Sequence, residues 1–515
     1  MINCIGREIP EQFLQNGAEA YQGPFYRDGY VYQKAAPTVR AAVGWQNSKV
    51  VSSLKEAIAK CGLRDGMCIS AHHHFRDGDY VLCMAVEAIA ALGIRDITIC
   101  ASSLGAAHTS LVKYIEDGTI TGISSSGVRG AIGEAISLGK LKNPAMIRSH
   151  GGRVRAIECG DIHIDLAFIG APASDCTGNA GGKGGKSDCG VLSYSAVDAR
   201  YADHVVVVTD NLVEFPNLPA SIQGIDVDYV VVTDAVGDPS RIANATLRYT
   251  TDPRELMIAE YAAKIMRHTP YFKDGFSFQT GGGGPSLAVT RFLRPYMEEL
   301  NIKMGFAMGG ITQPIVELLE AGFIRMVVDA QDFDLASVRS VNSHPRHVEI
   351  TTSQYANPLN KGAFVNRLDY VILGALEVDL DFHVNVVTGS DGIIRGAPGG
   401  HVDTSAGSKC SIIVAPLCRS RIPTIREKVL TVTTPGETVD IVVTEIGAAV
   451  NPRRPDLLAA LRDAPVPLMT IEELKDRAYA LVGTPDPIPF TDRVVALVEY
   501  RDGTIIDVIH QIAEI

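Results

Sequence analysis

From about residue 50 onward, hydrophobic and polar positions alternate between helical periods and short β-rich runs. This alternation predicts a mostly parallel sheet with helices packed on its faces. In the first half of the chain the predicted strands cover residues 67–70, 96–101, 164–169, 205–209 and 230–233. The first forty-five residues carry aromatic and turn-forming residues without periodicity, which predicts an N-terminal arm.

The alternation restarts after about residue 245, which predicts a second domain. Asp252, Pro253 and Glu255 supply an N-cap, a first-turn proline and an N3 glutamate for a helix that runs through Met266. The predicted strands that follow cover residues 326–328, 370–373, 411–414 and 441–444. We therefore expect an arm at 1–45, a first domain at 46–245 and a second at 246–515.

Charge and cysteine usage restrict the classes of partner. The 515 residues carry a formal net charge of −12, and a nucleic acid or an anionic membrane would need a basic face instead. The ten cysteines form no C-x-x-C pair and show no zinc-ligand spacing, and no secretory leader is evident. We expect a cytoplasmic protein without a metal site, whose anionic ligands are held by a local cluster of donors.

One glycine-rich loop stands between a β-like run and a helical period. It consists of Gly281, Gly282, Gly283 and Gly284. Four residues without Cβ allow backbone N–H groups to approach a carboxylate or a tetrahedral oxyanion. A permissive turn is the alternative, although a turn needs fewer glycines.

A second glycine-rich segment, residues 389–407, includes Ser390, Gly400, His401 and Asp403. Histidine, aspartate and serine among so many glycines favour a site. The alternative is a long structured hairpin whose polar residues bond to its own backbone.

Two further segments offer cations for a carboxylate substrate. His72 and Arg76 follow a predicted strand, and strand alternation makes a three-histidine metal site from His72, His73 and His74 geometrically poor. The other segment contains His150, Gly152 and Arg153, an arrangement suited to carboxylate binding. A structural histidine and a surface turn are the respective alternatives.

The chain resembles the citrate lyase alpha subunit family over nearly its whole length after residue 50. The resemblance is carried by SAHHHFRDGD from Ser70, SHGGR from Ser149, FQTGGGGP from Phe278, MGGIT from Met308, NVVTGSDGIIRGAPGGHVD from Asn385 and VTEIGAAVNPRR from Val443. More distantly the chain is similar to coenzyme A-transferases. The resemblance implies an α/β fold of two tandem coenzyme A-transferase-like open sheets with flanking helices.

The resemblance also implies a reaction: acetyl-carrier thioester plus citrate gives citryl-carrier thioester plus acetate. The expected partners are a beta (citryl-lyase) subunit, a gamma (acyl-carrier) subunit and further copies of this chain. We expect no permanently bound cofactor, since the gamma subunit would carry the phosphoribosyl-dephospho-coenzyme A arm. In the wider transferase group a glutamate attacks the thioester, and the matching position here is Gly309 or a neighbour.

Because residues 305–310 contain no carboxylate, the simplest mechanism has citrate itself attack the thioester to give a mixed anhydride. The catalytic candidates are then the glycine loop, Gly309, Ser390 and His401. Two rival interpretations stay open. One is a transferase for a carboxylate such as citramalate that uses Glu377 or Glu445 covalently, and the other is a non-catalytic scaffold subunit.

Overall fold

The computed structural model describes residues 1–2, 10, 47–242 and 250–513. Nearly all of the predicted N-terminal arm lies outside these residues, as does the predicted domain boundary after residue 245. Both therefore stay predictions.

A ten-stranded sheet organises the first half of the chain, in the order β1-β11-β9-β6-β2-β3-β4-β5-β24-β25. Every neighbouring pair from β1 to β24 is parallel. The strands of the first half are β1 (Val50–Val51), β2 (Cys68–Ala71), β3 (Ile97–Ala101), β4 (Ile120–Ser125), β5 (Ala145–Ile147), β6 (Leu166–Ala171), β7 (Ala173–Asp175), β8 (Ala180–Gly181), β9 (His204–Thr209), β10 (Leu212–Val213) and β11 (Tyr229–Val232).

Helices cover both faces of this sheet, because parallel strands are connected by crossovers. The helix at residues 81–91 is apolar around most of its circumference and packs into the core. The helices of the first half are α1 (Leu54–Cys61), α2 (Val81–Ala91), α3 (Val112–Glu116), α4 (Gly130–Ser137), α5 (His150–Glu158) and α6 (Ser195–Tyr201).

A second sheet of eight strands organises the other half, in the order β15-β14-β13-β12-β16-β19-β22-β23. It is parallel except for the last pair. The strands of this half are β12 (Ser277–Thr280), β13 (Phe306–Ile311), β14 (Val327–Asp332), β15 (His347–Glu349), β16 (Tyr370–Leu373), β17 (Glu377–Val378), β18 (Val384–Asn385), β19 (Cys410–Val414), β20 (Cys418–Arg419), β21 (Ile422–Pro423), β22 (Ile441–Thr444) and β23 (Gly447–Val450).

The predicted first helix of this half begins at Pro253, where the Asp252 side chain accepts from the Arg254 N–H. The helices of the second half are α7 (Pro253–His268), α8 (Gly284–Leu300), α9 (Gln313–Glu320), α10 (Leu335–Ser343), α11 (Thr352–Ala356), α12 (His401–Gly407), α13 (Pro455–Ala460) and α14 (Ile471–Val482).

The end of the chain returns to the first sheet. The hairpin of β24 (Phe490–Glu499) and β25 (Ile505–Ile512) pairs with β5 through Ala496 opposite Ala145. The sequence analysis had assigned these residues to the second domain. The hairpin covers the edge of β5, whose backbone donors and acceptors would otherwise be unpaired.

Two parallel-rich open sheets with flanking helices agree with the predicted α/β fold class. Within the described ranges, no helix combines the length and apolar character needed to cross a bilayer.

Candidate functional site

A cavity of about 500 Å³ lies between the two halves, at the carboxyl ends of strands from both sheets. This is where open α/β sheets commonly bind ligands. Eight of the fourteen predicted site residues line it: Arg76, His150, Gly281, Gly282, Gly283, Gly309, Gly400 and His401. The other six do not: His72, Gly152, Arg153, Gly284, Ser390 and Asp403.

Two guanidinium groups, Arg76 and Arg129, face the cavity. Arg76 lies in a short 3-10 turn with a φ of 57°, and its guanidinium lies 4.3 Å from the centre of the Phe333 ring. Burial, followed by the neighbouring positive charge of Arg129, lowers the pKa of Arg76 to about 10. Arg76 therefore stays charged at neutral pH. Burial also lowers the pKa of Arg129. Neither forms an ion pair with a carboxylate of the described chain.

Two stacked imidazoles, His73 and His150, form another part of the wall, with ring centroids 5.6 Å apart. Burial and then the charge of Arg153 lower the pKa of His150 to about 3, and burial also lowers that of His73. His73 bridges Ser102 Oγ at 2.6 Å and Gln331 Oε1 at 2.9 Å. Both rings are neutral near pH 7, so His150 can offer hydrogen bonds but not the cation that the sequence analysis expected.

The predicted glycine loop lies at the N-terminus of α8. The Gly281 N–H donates to the Ile372 carbonyl at 2.7 Å and is not free to bind an oxyanion. Within the described chain, by contrast, the Gly282 and Gly283 N–H groups have no acceptor, and both residues line the cavity. The α8 dipole adds a partial positive charge at the same place. This pair of amides can stabilise a developing oxyanion.

Gly309 lies in β13, where the resemblance places the nucleophile of other transferases. Its φ is 95°, and a Cβ there would lie 2.7 Å from the Gln279 amide. Gln279 Nε2 in turn donates to the Tyr355 hydroxyl at 2.9 Å, while its buried Oε1 has no partner in the described chain. A glutamine from β12 thus occupies the space over Gly309.

His401 lines the cavity but both ring nitrogens are engaged. Nδ1 lies 2.8 Å from Thr434 Oγ1 and Nε2 lies 3.0 Å from the Gly374 carbonyl. Burial lowers the pKa of the ring to about 4. The adjacent Gly400 is required, because a Cβ would overlap the Tyr355 hydroxyl. This geometry gives His401 a role in holding the loop rather than in proton transfer.

The expectation that Arg153 and His72 face the substrate needs correction. Arg153 is 1% exposed and donates two hydrogen bonds to Asp198, at 2.9 and 2.6 Å, and His72 Nε2 lies 2.9 Å from the same carboxylate. His72 and His73 are consecutive residues of the segment that follows β2, and they point to opposite sides: His72 faces the core and His73 faces the cavity. Arg153 instead neutralises a buried aspartate, and His72 lies against the same carboxylate.

Asp403 and Gly152 also have structural roles, since both form hydrogen bonds at the start of α5. Ser149 caps α5 by accepting from the Gly152 N–H, and Asp403 accepts from the Ser149 hydroxyl and the Gly151 N–H. Asp403 is further paired with Arg501. The segment predicted to bind a carboxylate, with a surface turn as the alternative, is therefore a buried helix start, and Asp403 connects it to the second half.

The remaining two predicted residues lie outside the cavity for local reasons. Ser390 belongs to the exposed turn closed by the Gly392 N–H donating to the Gly389 carbonyl. Gly284 faces the Glu255 carboxylate, which a Cβ would approach to 2.7 Å.

The two glutamates of the covalent alternative are also remote from the cavity. Glu377 is buried, pairs with Arg426 and accepts from Asn385 Nδ2 at 2.9 Å. Glu445 accepts from the Leu417 N–H at 2.8 Å. Asp77 is the one carboxylate among the described residues that line the cavity.

Sequence reasoning missed several cavity residues, among them Arg129, Gln279 and His73. Arg129 lies in the short loop between β4 and α4, immediately before the helix, so the rule that sites lie in the loops after parallel strands could have found it. Gln279 stands two residues before the glycine loop and His73 is the middle of the histidine run. Their alternation along the strand was the signal.

Comparisons with known proteins point to one family. The family model described as "Citrate lyase, alpha subunit (CitF)" matches residues 47–512. The citrate lyase alpha chain of Klebsiella pneumoniae is 54% identical over 97% of this chain and 97% of its own length. That of Escherichia coli K12 is 50% identical over 99% of this chain and 100% of its own.

Solved structures give the same assignment of fold. A crystal structure of the alpha subunit of citrate lyase from Streptococcus mutans, in complex with citrate, superposes with a TM-score of 0.92 at 53% identity, covering 99% of this chain and 100% of that one. A malonate decarboxylase alpha subunit from Acinetobacter baumannii shares the fold at a TM-score of 0.63 and 16% identity, covering 84% and 87%.

Proposed function

This chain belongs to the citrate lyase alpha subunit family, and from that premise we propose that it is the citrate CoA-transferase of an ATP-independent citrate lyase. It exchanges acetate for citrate on an acyl-carrier thioester. Acetyl-carrier and citrate are consumed, and citryl-carrier and acetate are released.

The observation that carries the proposal is the pair of guanidinium groups, Arg76 and Arg129, which face a cavity between the halves and form no ion pair with a carboxylate of the described residues. Asp77, also on the cavity wall, is the carboxylate whose charge acts on both. Citrate brings about three negative charges near neutral pH, and an acidic protein must offset them locally. The Arg76 guanidinium also packs against the face of the Phe333 ring in a cation–π contact, which helps to hold it in place. Citrate bound by the two arginines is placed beside the glycine loop.

Citrate then acts as the nucleophile. One of its carboxylate oxygens attacks the acetyl carbonyl, a C–O bond forms, and the C–S bond breaks to release the carrier thiolate. The thiolate attacks the citryl carbonyl of the mixed anhydride, which re-forms a C–S bond and expels acetate. Both steps pass through an oxyanion, for which the Gly282 and Gly283 N–H groups are the donors in reach.

The placement of carboxylates favours this route over a covalent enzyme thioester. Glu377 and Glu445 are engaged elsewhere, and β13 carries Gly309 under Gln279 at the position of the nucleophile in other transferases. A reactive anhydride also needs protection from water, and a cavity between the two halves limits the access of water.

The partners follow from the family. The thioester substrate is carried on the phosphoribosyl-dephospho-coenzyme A arm of a gamma subunit, and a beta subunit cleaves the citryl product. Several copies of this chain assemble with them. A purely scaffolding subunit would have no need of unpaired arginines beside free backbone amides.

One assay tests the activity without the other enzymatic subunit. Purified chain is incubated with acetyl-carrier and labelled citrate, and the label entering thioester is measured. We expect label in citryl-carrier for the wild type, at least a tenfold lower rate for Arg129→Met, and no change for the control Arg95→Met, whose exposed side chain pairs with Asp117. Absence of label with the wild type would overturn the proposal and leave the scaffold or a transferase for a carboxylate other than citrate.

A further inference from the structure

Behind the cavity wall lies a buried cluster that the exchange reaction does not use. Asp329 and Asp332 are in β14 and His347 is in the neighbouring β15. All three side chains are almost completely shielded from solvent. Gln331 and Phe333 line the cavity instead. The pairing of β14 with β13 shifts register between Gly309 and Gly310, which leaves Ala330 as an extra residue and puts Asp329 and Asp332 on the same side of the strand.

The three side chains present their polar atoms to one another. One potential ligand atom from each lies within 4.8 Å of the others. His347 Nε2 is 2.9 Å from Asp329 Oδ2, close to the edge of about 3.0 Å expected for an octahedron with metal–oxygen bonds of about 2.1 Å. His347 Nδ1 lies 2.9 Å from Ser340 Oγ, which orients the ring as outer partners of metal ligands do.

Asp332 is the independent observation that points to a ligand. It is 1% exposed, yet within the described chain neither carboxylate oxygen has a hydrogen bond of normal geometry, and its polar neighbours are the Ser337 hydroxyl and the Asp329 carboxyl group. The nearby Ser337 hydroxyl donates to the Asp334 carbonyl instead. Gly190, from the first half, closes the site so tightly that a Cβ would overlap the Asp332 carboxylate. A buried carboxylate without donors requires a proton or a cation.

The charged side chains around the cluster are acidic. Asp334 and Glu349 add further negative charge near Asp329, and Glu349 is bonded to the Leu192 N–H and the Ser221 hydroxyl. No lysine or arginine of the described chain pairs with Asp329 or Asp332. Positive charge is missing from a site that has three ligands on rigid strands.

We infer that Asp329, Asp332 and His347 bind a divalent metal ion of the Mn²⁺ or Zn²⁺ type, for which two carboxylates and one imidazole are a suitable set. The ion fixes the end of β14, and with it Gln331 and Phe333 on the cavity side. Sequence analysis expected no metal, because these ligands are not adjacent in the chain and only strand pairing brings them together.

The test is metal binding by the full-length protein after dialysis against chelator. With Mn²⁺ and, separately, Zn²⁺ as probes, we expect one tightly bound ion per chain for the wild type and at least tenfold weaker binding for Asp332→Asn and for His347→Gln. The ion should also raise the thermal midpoint of the wild type and not of the variants, since binding only the folded state stabilises it.

Asp203→Asn is the matched control. It belongs to an exposed group with His163 and Asp165 that offers the same ligand types, and it should leave the tight ion in place. The inference is overturned if the wild type binds neither probe, if Asp332→Asn binds as tightly as the wild type, or if Asp203→Asn loses the ion. Any of these results would assign a shared proton to the two carboxyl groups instead.

Discussion

Arg76 and Arg129 are the residues proposed to bind the carboxylates of citrate. We expect Arg76→Met to raise the half-saturating citrate concentration by about tenfold to a hundredfold, because a hydrogen bond to a charged group contributes about 1.5–3 kcal/mol. The half-saturating acyl-carrier concentration should change little. Initial-rate kinetics with each substrate varied separate the two. A change confined to the carrier would assign Arg76 to the thioester.

Arg153 gives the contrasting prediction at the same scale. Because it pairs with Asp198 inside the core, Arg153→Met leaves a buried carboxylate with only His72, which should cost about 3–5 kcal/mol of unfolding free energy. Chemical denaturation measures the loss. Arg95→Met, at an exposed pair, should cost under about 1 kcal/mol. Equal stability of the two variants would contradict this assignment.

The Gly283 amide is tested by adding a side chain beside it. Gly283 has a φ of −85°, and a Cβ would meet nothing closer than Ser286 Oγ at 3.8 Å, so the fold should accept valine. The side chain would screen the N–H donors, and losing one such donor typically costs about 3 kcal/mol, or a hundredfold or more in rate. Exchange rate and thermal midpoint are the measurements. A fully active Gly283→Val protein would remove the loop from the mechanism.

Among the elements, segment 389–407 joins the two halves around the cavity. The Gly399 N–H donates to the Ser126 carbonyl and the His150 N–H donates to the Gly399 carbonyl. Helix α4 supports the same segment, since the Ser137 hydroxyl accepts from the Ile394 N–H. Backbone contact of this kind explains the glycines that sequence analysis attributed to a site.

A substitution in α4 tests this contact. Alanine for glycine inside a helix usually stabilises it by about 1 kcal/mol, but a Cβ on Gly133 would overlap the Ile394 carbonyl. We expect Gly133→Ala to lower the thermal midpoint and to weaken citrate binding by displacing the segment. Gly181→Ala, where a Cβ meets nothing within 4 Å, is the control. A stabilised Gly133→Ala protein would mean that the segment moves freely.

At the scale of the whole molecule, the mechanism decides the kinetic pattern. Direct attack by citrate requires citrate and acyl-carrier to be bound together, so double-reciprocal lines should intersect and borohydride during turnover should reduce no glutamate or aspartate. Kinetics and peptide mass analysis check both expectations. Parallel lines together with a modified Asp77, Glu377 or Glu445 would establish the covalent route and leave the family assignment unchanged.

What the sequence determined by itself was the fold class, the alternation of strands and helices, and the family. The apolar runs that form β16 and β22 are strands at the positions predicted for them. A parallel strand buried on both faces needs a continuous run of hydrophobic residues, which is visible in the sequence. The start of α7 was likewise encoded locally, by Asp252 and Pro253. The family and fold predictions are confirmed, and eight predicted site residues line the cavity.

Only the tertiary structure decided which polar side chains face the substrate. His72 and His73 are neighbours in the segment after β2, but one side chain points to Asp198 in the core and the other to the cavity. Arg153 has a structural role because helix α6 places the Asp198 carboxylate in contact with its guanidinium group. The return of β24 to β5 and the meeting of Asp332 with His347 depend on pairing between distant segments. Such contacts are set by the packing of the whole chain and leave no local pattern in the sequence.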